Sequence, residues 1–338
     1  MNCPPLDSSR KFLWLPAIFG ICCLLMVTIA CSGLESLFPT ETQAPTTFPD
    51  TEIVFVSNGG VGFVNSNGSD EVFIPFTVKD FRGDHSKWWR PVITADNHTL
   101  IAKVGDEFSH IYNPTPLVIW NSGKLPTLCE QWGVQQMAYL SADQSDIFIH
   151  TDQGMALYDL NSCGTKDPPI KIYKHIFGVL SPNLRYVAYT NRPSADPDNN
   201  RFIVVYNIAD GKEQTVGIGD NPAWSRDNQW LAYTGKDGIY IANIAKNSEP
   251  RRVILYPNLF NQKRPTYSAG DYYEIPPEVS WSPDGKWLVY HKWTGTDYYT
   301  GVNPNYNAVF KLNVETGEEI KIVDGGLYPY WRWPAERP

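Results

Sequence analysis

Helical periodicity is all but missing from this sequence, and so are the short local signatures of catalysis. No apolar stripe recurs at helical spacing beyond the N-terminal region, which excludes a bundle or an α/β fold. Charge is scarce, 19% of the 338 residues, and the 28 Lys and Arg are scattered among 36 Asp and Glu. A net charge of −8 without a basic cluster excludes a phosphate-tracking nucleic-acid surface, which needs a concentrated cationic footprint. Neither Gly-x-Ser-x-Gly, His-Glu-x-x-His nor Cys-x-x-Cys occurs. The histidines at 85, 98, 110, 150, 175 and 291 fall at no metal-ligand spacing and read as structural or solvated. Asp196-Pro197-Asp198-Asn199-Asn200 matches no calcium loop and reads as a polar turn. No metal or cofactor is therefore expected. Cysteine is also sparse outside the first 31 residues, where Cys3, Cys22, Cys23 and Cys31 lie. Cys129 and Cys163 remain, a pair that an oxidising compartment would join as a disulfide and that would otherwise be two buried thiols.

What is present first is a targeting segment. Arg10 and Lys11 precede an uncharged apolar run from Phe12 to Ala30. It ends in Val27-Thr28-Ile29-Ala30-Cys31-Ser32-Gly33, which resembles a bacterial lipobox in which the Cys31 thiol takes a lipid. The alternative is an uncleaved signal anchor, since a run of this length also suffices to span a bilayer. Both place the remainder outside the cytoplasm and anchored to a membrane. Residues 32–50 mix Pro, Thr and acids without period and read as a tether. Residues 51–338 are then the globular part.

That part is rich in aromatic and β-branched residues, including most of the 12 Trp and 19 Tyr, in short runs separated by Gly, Asn, Asp and Pro. Five segments align without gaps, starting at Thr94, Ser141, Ser181, Ser225 and Ser282. Each reads Ser/Thr, any residue, Asp/Asn, then three residues and an aliphatic. This is a hairpin whose Asp or Asn caps the turn through its side chain. A second element, an apolar strand ending on Asn or Asp, occurs six times, at Asn65, Asn121, Asp159, Asn207, Asn243 and Asn313. The missing sixth turn strand is supplied by the C-terminus, where Tyr328-Pro329-Tyr330-Trp331 matches Asn221-Pro222-Ala223-Trp224. The expectation is an all-β, six-bladed propeller of four-stranded antiparallel blades, closed by the C-terminal strand pairing with the N-terminal blade.

Trp281-Ser282-Pro283-Asp284-Gly285-Lys286-Trp287-Leu288-Val289-Tyr290 resembles the repeat of TolB-type, WD-repeat-like bacterial propellers, and the resemblance spans residues 51–334. It implies the propeller fold and an envelope location. The same repeat accompanies some hydrolases, but no length remains here for a hydrolase domain.

In a propeller the connections sort by face. The long ones here, 77–90, 105–116, 191–200, 256–277 and 294–307, all fall on one face, the expected signature of a binding surface. They carry Trp88, Trp89, Arg90, Arg264, Tyr272, Tyr273, Tyr298, Tyr299 and Tyr306, residue types suited to protein, peptide or glycan recognition. The functional expectation is a non-catalytic binding propeller. The alternative is an envelope hydrolase or lyase acting on polysaccharide, with carboxylates drawn from several blades, Asp271, Glu274 and Asp297 first among them.

Overall fold

The computed structural model describes residues 47–333 except 58–59, 76–86, 106–116, 125–126, 130–137, 142–143, 152–153, 175–177, 192, 194–199, 236, 256–276 and 295–306. The chain divides into a unit of residues 1–42 and a unit of residues 43–338; the first lies outside the described residues.

The second unit is the expected propeller. Blade 1 contains β1 (Ile53–Ser57), β2 (Gly60–Val64) and β3 (Val72–Pro75). Blade 2 contains β4 (Lys87–Ile93), β5 (Thr99–Gly105), β6 (Leu117–Asn121) and β7 (Thr127–Cys129). Blade 3 is β8 (Ala138–Leu140), β9 (Asp146–Thr151), β10 (Gly154–Asp159) and β11 (Lys171–Lys174). Blade 4 is β12 (Val179–Leu180), β13 (Tyr186–Asn191), β14 (Phe202–Asn207) and β15 (Glu213–Ile218). Blade 5 is β16 (Asp220–Trp224), β17 (Trp230–Gly235), β18 (Gly238–Asn243) and β19 (Arg251–Leu255). Blade 6 is β20 (Val279–Trp281), β21 (Trp287–Trp293), β22 (Asn307–Asn313) and β23 (Glu319–Asp324), and β24 (Leu327–Trp331) then becomes the inner strand of blade 1. The ring closes as expected, with Ile53 opposite Trp331 and Val54 opposite Tyr330.

The repeated turn has one physical basis. In all five copies the fourth residue sits in the left-handed region: Asn97, Gln144, Leu184, Asn228 and Gly285, with φ between 59° and 69°. Its N–H returns to the carbonyl of the first residue, at 2.8–3.1 Å. The hydroxyl of Thr94, Ser181, Ser225 and Ser282 meets the Asp or Asn two residues on at 2.5–2.8 Å. The strand-ending Asn and Asp do equivalent work at the neighbouring hairpin, between the third and fourth strands at the same end of the blade. Asp159, Asn207, Asn243 and Asn313 accept from backbone N–H groups two or three residues later, at 2.8–2.9 Å.

The second strand of each blade is covered by the blades on either side, which is why it reads as a continuous apolar run. Phe55, Phe148, Leu231, Tyr233, Leu288 and Tyr290 are all buried, each contributing about 1.5–3 kcal/mol. Gly62 is fixed by this packing, since a Cβ there would lie 2.2 Å from the Phe55 ring.

Polar side chains then join blade to blade. At the start of four of the inner strands, β12, β16, β20 and β24, the second strand of the preceding blade sends one across: His150 to the backbone of Gly178, Thr190 to Asp220, Thr234 to the Pro277 carbonyl and His291 to the Tyr328 N–H. At the other end, indole N–H groups reach back to the preceding blade: Trp224 to the Val179 carbonyl, Trp281 to Ala223 and Trp333 to Trp281, at 2.7–3.0 Å. Packing begins slightly ahead of the expected Thr51. Phe48 is buried, stacked on Phe63 and edge-on to Trp120, with its N–H on the Asn97 carbonyl.

Candidate functional site in the central channel

The inner strands face the channel with an unpaired edge, and their sequence shows it. β4, β16 and β24 each contain a proline, Pro91, Pro222 and Pro329, and each has a register shift there against the neighbouring strand. Proline is confined to sheet edges and bulges because it has no N–H for a ladder, so these residues mark the channel wall. The residues before the last two, Asn221 and Tyr328, have φ of 52° and 48°. Asparagine adopts this conformation readily; for a bulky ring it is a strained exception. Tyr328 is held in it by its N–H bond to His291 Nδ1 at 3.3 Å and by an edge-on ring contact with the same imidazole at 5.2 Å.

The inner strands enclose a cavity of ≈ 180 Å³, to which every blade contributes. Its walls are apolar, formed by residues such as Val92, Leu140, Leu180, Pro222 and Val279. Charge is confined to the ends. Glu278 precedes β20 at the strand-start end, and Arg226 follows β16 at the turn end; these are the one carboxylate and the one cation among the described lining residues. Tyr330 lies between them in the wall. Burial pushes its phenol up to about 12, a rise partly offset by the positive charge of Arg226, so the hydroxyl is neutral at physiological pH.

The turn-end rim is a ring of left-handed residues. Gln144 accepts from the Ala95 N–H at 2.6 Å and donates to the Trp333 carbonyl at 2.9 Å, spanning three blades. Asn228 accepts from the Asn183 N–H at 2.7 Å. At the corresponding position blade 4 has Leu184, which cannot make such a bond and stands 39% exposed at the rim. A strained, exposed leucine beside an apolar cavity is the local exception to the rules the other turns obey.

A cavity of this size and polarity takes one apolar or aromatic side chain; a comparable engineered apolar cavity accommodates benzene. Glycoside cleavage by paired carboxylates would need a second acid beside Glu278.

Of the sequence-derived candidates, only a part lies among the described residues. Trp88, Trp89 and Arg90 were expected on a long loop, but their backbone is inner strand β4, with Trp88 opposite Val104 and Trp89 opposite Lys103. The loop expected at 77–90 therefore ends before Lys87, because the strand runs on past a bulge on the N-terminal side of Val92. Arg264, Tyr272, Tyr273, Tyr298, Tyr299 and Tyr306 lie outside the described residues, as do Cys31 and the carboxylates Asp271, Glu274 and Asp297. Cys129 and Cys163 are joined by a disulfide, linking outer strand β7 of blade 2 to the turn after β10 of blade 3. No group of three or more His, Cys, Asp and Glu able to hold a metal occurs among the described residues. No helix among them is long and apolar enough to cross a membrane. Arg226, Leu184 and Tyr330 escaped sequence reasoning; the signal that could have found them was the aligned Pro222 and Pro329, proline inside otherwise apolar strands.

No protein-family model matches the chain, and no curated protein matches it. Solved structures do. TolB from Acinetobacter baumannii is 12% identical, with 95% of this chain and 74% of that one covered at a TM-score of 0.56. A putative 6-phosphogluconolactonase from Bacteroides uniformis is 13% identical over 82% of this chain and 98% of its own, at a TM-score of 0.45. An oligogalacturonate lyase from Vibrio parahaemolyticus is 12% identical over 81% and 86%, at 0.42. At these identities the likeness is one of architecture, and the chain has the β-propeller fold shared with TolB.

Proposed function

We propose that this chain is an extracytoplasmic binding propeller without catalytic machinery of its own, anchored at a membrane through its N-terminal segment, and that it engages a protein or peptide partner by taking an apolar side chain into the turn end of the channel. The observation that carries this reading is the cavity: apolar walls, a single carboxylate, and Leu184 exposed on the rim where its counterparts are polar or glycine. The Cys129–Cys163 disulfide fits an oxidising compartment. The sequence-derived aromatic residues Trp88 and Trp89, on β4, together with Tyr298 and Tyr299, are a second candidate contact surface within the same reading.

The test is affinity capture from detergent-solubilised envelope with the full chain, a Leu184→Glu variant and a variant with Trp88, Trp89, Tyr298 and Tyr299 all changed to Ala. A partner kept by the native chain and the four-aromatic variant but lost with Leu184→Glu is the expected result. Loss with the four-aromatic variant alone moves the site to those residues. Equal capture by all three removes both sites, and turnover of an envelope polysaccharide by the purified protein overturns the non-catalytic assignment.

A further inference from the structure

Among the described residues the outer strand of each blade has no further strand beside it, and such an edge is a template for pairing that proteins ordinarily blunt with charge, proline or bulges. Blades 3 to 6 do so. β11 carries Lys171 and Lys174. β15 carries Glu213, β19 carries Arg251 and Arg252, and β23 carries Glu319, Lys321 and Asp324. Each of these last three also has a register shift against its neighbour. β7 of blade 2 is tied to blade 3 by the disulfide.

β3 of blade 1 carries no charge and no register shift, and has only the terminal Pro75 as such a device. Its sequence is Val-Phe-Ile-Pro, its register with β2 is continuous, and Val72 and Phe73 are 40% and 45% exposed. Ser57 and Gly60 close a two-residue hairpin, so Gly60 and Gly62 direct their backbone groups to β1. Val61 and Phe63 then bond Ile74 and Val72, which leaves the N–H and carbonyl of Phe73 and the carbonyl of Pro75 pointing outward. Pro75 has no N–H and so limits the register at that end. At the other end stand Asp70 and Glu71, both exposed.

We propose that β3 is a docking edge at which an extended segment of a protein partner adds antiparallel as a fifth strand of blade 1. The segment alternates apolar residues, as Val72 and Phe73 require on the two sheet faces, and ends in basic residues that meet Asp70 and Glu71. The net charge of −8 opposes a second copy of the chain as occupant and favours a basic partner. This edge lies on the outer rim and is independent of the channel.

The test uses the full chain and a fluorescein-labelled peptide, Ser-Val-Thr-Val-Thr-Val-Lys-Lys, followed by anisotropy. Binding is expected, weakened at least about tenfold by Phe73→Lys and by Val72→Lys, and unchanged by Leu184→Glu. Backbone N-methylation of the peptide residue that bonds Phe73 should abolish binding, methylation of its neighbours should not, and exchange of the Phe73 amide should slow in the complex. Circular dichroism checks that both lysine variants fold. No binding up to about 1 mM peptide, or binding indifferent to the lysines or to methylation, overturns the proposal. Concentration-dependent dimers of the native chain that Phe73→Lys dissolves would overturn it in favour of self-pairing.

Discussion

Two arcs of the ring hold together by different means. From blade 4 round to blade 1, each junction has an indole bonded to the preceding blade's inner strand, through Trp224, Trp281 and Trp333. The same junctions have a second-strand side chain bonded to the next blade, through Thr190, Thr234 and His291. Between blades 2 and 3 the described residues show no such indole; Gln144 reaches Ala95 at the centre and a disulfide joins Cys129 to Cys163 at the periphery. A repeated hydrogen bond contributes about 1 kcal/mol net, whereas a disulfide contributes about 2–4 kcal/mol. Where the repeat has decayed, one covalent link stands in for several weak regular ones.

The largest expected effect comes from the regular arc. Trp281→Ala removes a side chain only 1% exposed, leaves the Ala223 carbonyl without its indole, and should cost about 3–5 kcal/mol, read as a fall in urea midpoint. If the decayed arc is held mainly by its cross-link, Cys163→Ser should cost nearly as much, about 2–4 kcal/mol. Its amide exchange should quicken first in β7 and β11, ahead of β17 and β21. Uniform acceleration would show that the two arcs unfold as one and would break the comparison.

The smallest effect concerns the seam between blades 1 and 2. Hydrogen bonds from Arg332 and Asn97, with the guanidinium charge, hold the Asp50 carboxyl below its ordinary value. A depressed carboxylate stabilises the fold above its unfolded pKa, and that contribution disappears as pH falls through the folded one. Asp50 is largely exposed, so solvent screens the effect. Melting temperature should drop slightly more for the native chain than for Asp50→Asn as pH is lowered below about 4. Identical acid profiles would remove the clasp from the account.

The blades were legible because each turn must solve the same local problem, a left-handed fourth residue with a capping acid or amide two residues after a hydroxyl. Those constraints are contiguous in sequence. The blade-to-blade bonds were not legible, because His150, Thr190, Thr234 and His291 share a position but not a chemistry. His150 and His291 read as structural or solvated in the sequence; both are buried inter-blade contacts, a role their spacing did not reveal. The channel was hidden for a related reason: each blade supplies only a few of its residues, far apart in the chain. Loop length drew attention to one face, while Leu184 and Arg226 sit in turns too short to attract notice.

The chain enters the propeller where the ring is sealed. Asp50 is clasped by Arg332 and Asn97, and the strand that follows, β1, is bonded on one side to β24 and on the other to β2. A pull along the polypeptide from the N-terminal side therefore meets the buried Phe48 and then the ion pair, before a strand that cannot be unzipped from one flank alone. Tension is divided between the first and last strands of the fold, so the seam acts as a strain relief, like the collar where a cable enters its housing.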